Sequence, residues 1–190
     1  MKQTIISRFL AIALMMTTGN LAANAGWTDN LSPYDLNAPL GWATVDGNVT
    51  GGEGGTKVTV TNKTELMNAL KGTDKKIIYV DGEIEFSGLT NVNSVQNKTI
   101  IGMKGAAFVN SKHSASVSET GIMQLSSCKN IILRNIIFKS AGAYDIDGND
   151  NLTIIGSTYI WVDHCDFQDG VDGNFDCVNG SDNICVTWCR

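Results

Sequence analysis

Between Gly142 and Asp182 the sequence places nine aspartates (Asp145, Asp147, Asp150, Asp163, Asp166, Asp169, Asp172, Asp176 and Asp182), with His164 as the sole basic side chain. Carboxylates packed this densely repel one another unless solvent or a cation relieves them. The donors are hard oxygens, which suit calcium or magnesium rather than zinc or copper. Asp172-Gly173-Asn174-Phe175-Asp176, taken as a strand, would turn Asp172 and Asp176 to one face, because side chains alternate with period two. Asp150 stands 22 positions before Asp172, the right distance to stack beside it from a preceding turn of a coil. Asp150, Asp172 and Asp176 therefore form a candidate calcium site. As residue types alone, the same aspartates fit turn corners and a solvated face equally well. No EF-hand pattern is present.

Positioning such a trio requires stacked strands. Lys57–Val60, Lys76–Val80, Lys98–Ile101, Asn130–Leu133, Arg134–Phe138, Asn151–Ile155, Tyr159–Val162 and Asn183–Trp188 are short, β-branched runs bounded by Gly, Asn, Asp or Ser. Their main recurrence, every 20–30 residues, is that of one turn of a solenoid. Strands of a sandwich recur sooner, at roughly 8–12 residues. Two-residue hairpin signals between the runs are scarce, so a parallel β-helix is expected, each turn stacking its Ile and Val on the last. Thr64–Leu70 is the best helix of the chain, with Thr64 as its expected cap and Leu66, Ala69 and Leu70 on one face.

The chain has 190 residues, 43% apolar and 17% charged, with 20 glycines and two prolines, which fits one domain with a sizeable core. Lys2 and Arg8, the apolar run Phe9–Met16 and then Ala23-Asn24-Ala25 follow the order of a secretory signal peptide cut after Ala25. Residues 26–190 are then the mature domain. Losing the leader's two basic residues takes the formal charge from −5 to −7. Such a protein does not bind nucleic acid through general electrostatics, and it meets an acidic polymer only through cations. No later run is long and apolar enough to span a membrane. The five cysteines, Cys128, Cys165, Cys177, Cys185 and Cys189, are an odd number without a CxxC pair, which argues against zinc and for packed free thiols over a disulfide framework.

Tyr159-Ile160-Trp161-Val162-Asp163-His164-Cys165 resembles the W-[IV]-D-H motif of the family 1 polysaccharide lyases, the pectate lyases. Further segments match that family in order: Gly41-Trp42-Ala43, Thr50-Gly51-Gly52-x-Gly54-Gly55, Asn97 to Gly102, Asn130 to Asn135, Asp172-Gly173-x-x-Asp176 and Gly180 to Trp188. The resemblance covers most of the mature chain. It implies a right-handed parallel β-helix, secreted to the periplasm or the exterior, that cleaves polygalacturonate by calcium-dependent β-elimination. A monomer is expected. By register it places calcium ligands on Asp150, Asp172 and Asp176. A further aspartate found in some members falls on Gly148, with Asp147 or Asp145 as substitutes. The family's catalytic arginine and a substrate-binding lysine belong to later turns, so the catalytic residue is unknown here and Arg190 comes too early to be it. The chain is accordingly expected to be the N-terminal part of a longer protein, its coil incomplete at the C-terminus.

For His164 and Asp163 structural roles are expected, for His113 a solvated one, and for Trp161 and Trp188 a place in the core or in a stack. Three readings compete with a pectate lyase. A calcium-independent pectin lyase would not need the three aspartates. A polygalacturonase would draw on Asp163 and Asp166, against the order of the motifs. A non-catalytic β-helical surface protein would bind glycans without cleaving them.

Overall fold

The structure, a computed structural model, describes residue 39 and residues 41–190. The signal-peptide reading of residues 1–25 lies outside these. The described chain winds through three parallel sheets. The first contains β1 (Thr56–Val60), β2 (Lys76–Val80), β5 (Gln96–Gly102), β8 (Lys129–Arg134), β11 (Thr158–Asp163) and β14 (Asp182–Thr187), stacked in that order. The second contains β4 (Thr90–Asn93), β7 (Met123–Ser126), β10 (Leu152–Ile155) and β13 (Phe175–Val178). The third contains β3 (Glu83–Glu85), β6 (Ala107–Val109), β9 (Ile137–Lys139) and β12 (Asp166–Gln168). Each turn runs from second to first to third sheet, which is a parallel β-helix.

Register follows the apolar pattern. Ile78, Ile100, Leu133, Val162 and Val186 are successive partners in the first sheet. The first four are buried in the common core, while Val186 is 45% exposed on the last turn. In the third sheet Phe108, Phe138 and Phe167 stack turn on turn, with ring centroids 5.3 and 5.0 Å apart. The first sheet is buried on its outer face as well. There Ile132 and Trp161 pack under Ala43 and Val49 of the opening segment.

Corners are made by residues in the left-handed region. Asn97, Asn130, Tyr159 and Asn183 occupy it near the start of successive first-sheet strands, and Asn135, His164 and Trp188 occupy it where those strands end. Asn135, at φ 53°, breaks the expected run Arg134–Phe138 into the end of β8 and the start of β9. Trp188, expected in the core or in a stack, is 77% exposed, with its ring centroid 6.3 Å from that of His164. The helix α1 is Lys63–Leu70, and its cap is Asn62 rather than Thr64. The Asn62 carboxamide accepts from the Glu65 amide at 3.0 Å, and the Glu65 carboxylate accepts from the Thr61 amide at 2.9 Å. This reciprocal arrangement satisfies two donors and leaves Thr64 inside the helix. All five cysteines are free; Cys128 and Cys165 are buried, and Cys177 is exposed.

Candidate functional site

The expected strand Asp172–Asp176 forms only in its second half. β13 begins at Phe175, and Asp172 sits in a bend before it. The period-two argument that set Asn174 between the two aspartates therefore fails. Instead, the Asn174 side chain accepts hydrogen bonds from the Asn151 carboxamide at 2.8 Å and the Gly170 amide at 3.0 Å. It braces the loop rather than pointing with the carboxylates.

The aspartates nevertheless stay in electrostatic reach of one another. β10 and β13 pair with Thr153 beside Asp176, and the Asn151 amide donates to the Gly173 carbonyl at 3.3 Å, which puts Asp150 alongside Gly173. A Cβ on Gly173 would lie 2.4 Å from Asp150 Oδ1, so glycine is needed there to leave the carboxylate room. Thr153 Oγ1 donates to Asp150 Oδ2 at 3.3 Å. Partial burial pushes the Asp150 carboxyl above the usual aspartate value, and repulsion from Asp176 and Asp172 pushes it further. Asp172 and Asp176 are exposed. Among the described residues no ion pair involves any of the three, and no three His, Cys, Asp or Glu side chains are gathered closely enough to hold a metal ion. Asp145 and Asp147 are exposed on the loop before Asp150, and a Cβ at Gly148 would lie 3.7 Å from that of Asp172. Thr153 and Gly173 are the neighbours that sequence reasoning missed. Thr153 stands in the outward, polar position of the run Leu-Thr-Ile-Ile, which was its available signal.

The W-V-D-H segment performs a different task. Asp163 is 1% exposed. It accepts from Arg134 Nε at 2.9 Å and from the Thr187 hydroxyl at 2.6 Å, and it meets His164 Nδ1 at 2.9 Å. Trp161 Nε1 donates to the same Thr187 hydroxyl at 2.7 Å, and the Arg134 guanidinium lies 5.0 Å from the Trp161 ring centroid. This network ties three turns of the first sheet together, the structural role expected for Asp163. His113 ring-packs on Tyr144 at 4.9 Å, with Nε2 3.2 Å from the Ala143 carbonyl.

A parallel β-helix with carboxylates on one outer face defines a solenoid scaffold rather than one reaction. Comparison with known proteins narrows it. The pectate lyase family profile matches residues 11–186, and the chain belongs to that family. It is 32% identical over 166 residues to a pectate trisaccharide-lyase of Thermotoga maritima, covering 80% of this chain and 41% of that protein. It is 35% identical over 120 residues to a pectin lyase of Pectobacterium carotovorum, covering 62% of this chain and 35% of that protein. A solved pectate lyase from Paenibacillus sp. 0602 superposes with a TM-score of 0.63 at 20% identity, over 80% of this chain and 41% of that one. That likeness supports the fold. The chain spans less than half the length of these curated relatives.

Proposed function

We propose that this chain is part of a secreted enzyme that cleaves polygalacturonate by calcium-dependent β-elimination, and that Asp150, Asp172 and Asp176 hold the calcium. The observation that carries the reading is the Asp150 carboxyl, crowded by Asp176 and Asp172, with no ion pair on any of the three among the described residues. The donor set is all oxygen, which fits calcium, an ion that takes 6–8 oxygens at flexible distances. Three carboxylates leave the remaining positions to water and to a uronate carboxylate of the substrate. Calcium supplies charge neutralisation between acidic protein and acidic polymer, and makes the proton at C5 of the uronate more acidic.

The chain's own residues have separable roles in this reading. Asp172 and Asp176, exposed on adjacent segments, reach the substrate side. Asp150, half-buried beneath them, is oriented by the Thr153 hydroxyl. Gly173 keeps the space open. As the C4–O bond breaks, its oxygen leaves and takes a proton from water, the C5–H electrons form the C4–C5 double bond, and the C5 proton must go to a base. The two described arginines do not supply it: Arg134 is buried against Asp163, and Arg190 pairs with Asp166 at 2.8 Å beside the first and third sheets. The base is assigned to the arginine that the family resemblance implies, expected on a later turn beyond residue 190. Export is supported by the leader pattern. Among the described residues no helix is long and apolar enough to cross a membrane. The enzyme is taken to act as a monomer.

The test uses the full-length protein, polygalacturonate and either calcium or a chelator, following ultraviolet absorbance of the unsaturated product. A rise that needs calcium and disappears in Asp172→Ala and Asp176→Ala is expected. Reducing ends without absorbance would mean hydrolysis, and no product of either kind would favour a glycan-binding protein. The pectin lyase relative gives specific support to a second reading, cleavage of methylated pectin, which would proceed equally well in the chelator.

A further inference from the structure

A polar cavity lies at the corner of the coil where the second sheet passes into the first. The residues at the second position of β5, β8, β11 and β14, namely Asn97, Asn130, Tyr159 and Asn183, are all left-handed. Three are asparagines that tie the chain together. Asn130 donates to Asn97 Oδ1 at 2.7 Å and accepts from the Thr50 and Gly51 amides at 2.7 and 2.8 Å. Asn183 donates to the Trp42 and Val45 carbonyls at 3.4 and 3.2 Å. The opening segment is thus fastened at 42–45 and again at 50–51. Between these points it bridges over Tyr159, whose hydroxyl donates to the Asp46 carbonyl at 3.2 Å.

Tyr159 breaks the asparagine series. Its φ of 57° is the corner geometry that His164 and Trp188 also adopt, so what sets the position apart is an aromatic ring where its neighbours in the stack carry a carboxamide. Its ring lines a cavity of about 310 Å3 together with Asp46, Asn48, Gln96, Lys129 and the satisfied Asn97 and Asn130. That is at the small end of ligand pockets, about 300–1,000 Å3, and has room for one monosaccharide. The Lys129 ammonium stands 5.5 Å from the Tyr159 ring centroid, and Lys129 and Asp46 are exposed at the mouth. One ammonium, one carboxylate, two amides and an aromatic ring suit a ligand with a single carboxylate and several hydroxyls. The Asp46 carboxylate accepts from hydroxyls but repels a multiply charged anion such as a phosphate.

We infer that this cavity is a uronate-binding subsite, separate from the aspartate cluster, in which Lys129 meets the carboxylate and Tyr159, Asp46, Asn48 and Gln96 meet the sugar ring. It lies past the carboxyl ends of β4 and β7, whereas Asp150 precedes β10. A strand of four residues at about 3.3 Å each separates the two levels by more than about 13 Å. A polymer held here would be anchored away from the proposed cleavage point.

The test is a calorimetric titration of galacturonic acid into the full-length protein with chelator present, which silences the calcium cluster. Saturable binding is expected, weakened about tenfold by loss of one charge-assisted contact in Lys129→Gln, weakened similarly in Tyr159→Asn, and unchanged in Asp176→Asn. Tyr159→Asn restores the asparagine series but loses packing on Ala43, Val49, Ile132 and Trp161, so its unfolding midpoint is measured alongside and its binding is read at a temperature where it is fully folded. No saturation in the parent protein, unchanged binding in either cavity variant, loss in Asp176→Asn, or equal binding of galactose would each overturn the inference. Failure of the lyase assay leaves this titration untouched, so the two readings fall separately.

Discussion

The first and second sheets are stacked on the same coil, yet they are built for opposite purposes. The first is buried on both faces in its middle strands β2, β5, β8 and β11, with Ile78, Ile100, Leu133 and Val162 inward and Ile77, Tyr79, Ile101, Ile132 and Trp161 outward. The second is buried on one. Its outward ladder is Asn91, Gln124, Thr153 and Asp176, all polar and unburied. The first sheet is where the fold's stability is concentrated. The second keeps an open, hydrated surface on which carboxylates gather beside Asp150. Residues as alike as Asp163 and Asp176 therefore do different work, according to the sheet that carries them.

The hardest test of that division is Asp163→Ala. It leaves Arg134 buried without its carboxylate and removes the acceptor of Thr187. Breaking a buried pair in this way costs about 3–5 kcal/mol, to be read from denaturant unfolding of the full-length protein. Calcium affinity of the molecules that remain folded is expected to be unchanged. A loss under about 1 kcal/mol, the value of a surface pair, would show that the network does not hold the turns together.

The same contrast explains what was legible in the sequence. Every strand of the first sheet was visible: β2, β5, β8 and β11 are buried on both faces and read as continuous apolar runs, while β1 showed as the alternation of Lys57-Val58-Thr59-Val60. In the second sheet β10 was found, and the start of β13 fell within the expected strand Asp172–Asp176; β4 and β7 were not found. Thr90-Asn91-Val92-Asn93 and Met123-Gln124-Leu125-Ser126 alternate over four residues only, and so resemble loop. In the third sheet, Glu83-Ile84-Glu85 and Asp166-Phe167-Gln168 are three residues long and bury little beyond one side chain. The trio Asp150, Asp172 and Asp176 was reached through family register and a strand that is only half formed. Its support from Thr153 and Gly173 depends on the pairing of β10 with β13, which no local pattern encodes. Tyr159 was read as part of a strand, and its left-handed backbone was invisible.

Asp176→Ala probes the other side of the comparison. The side chain is exposed and in none of the ion pairs among the described residues, so stability in chelator should change by no more than about 0.5 kcal/mol. Calcium affinity should fall at least about tenfold, since ligand charge count sets affinity in such sites. Calorimetry and unfolding on the same sample separate the two. A variant that unfolds in chelator would erase the distinction between the sheets.

Gly148→Asp sharpens it further. The new Cβ would lie 3.7 Å from Asp172 Cβ and 3.2 Å from Val171 Cγ1, a contact that a small shift relieves. A fourth carboxylate should tighten calcium binding roughly fivefold while slightly destabilising the calcium-free protein through like-charge repulsion. Weaker calcium binding would place the ion elsewhere than beside Asp172.

The smallest effect belongs to the seam where the opening segment closes over the first sheet. Trp42 Nε1 donates to Asp182 at 2.7 Å, and this bond, followed by that from the Asn183 amide, holds the Asp182 carboxyl below its ordinary value of 3.8. A carboxyl whose folded value is depressed binds fewer protons in the folded state than in the unfolded one. Its contribution is therefore complete above 3.8 and is lost as pH falls through the lower folded value. The unfolding midpoint of the parent protein should exceed that of Asp182→Asn near neutral pH, and the two should converge in acid. The group is fully exposed, so the gap will be small, and salt will narrow it. A gap that widened in acid would mean that the carboxylate destabilises the seam, and that the apolar packing of Ala43 and Val49 on Ile132 and Trp161 holds the segment in spite of it.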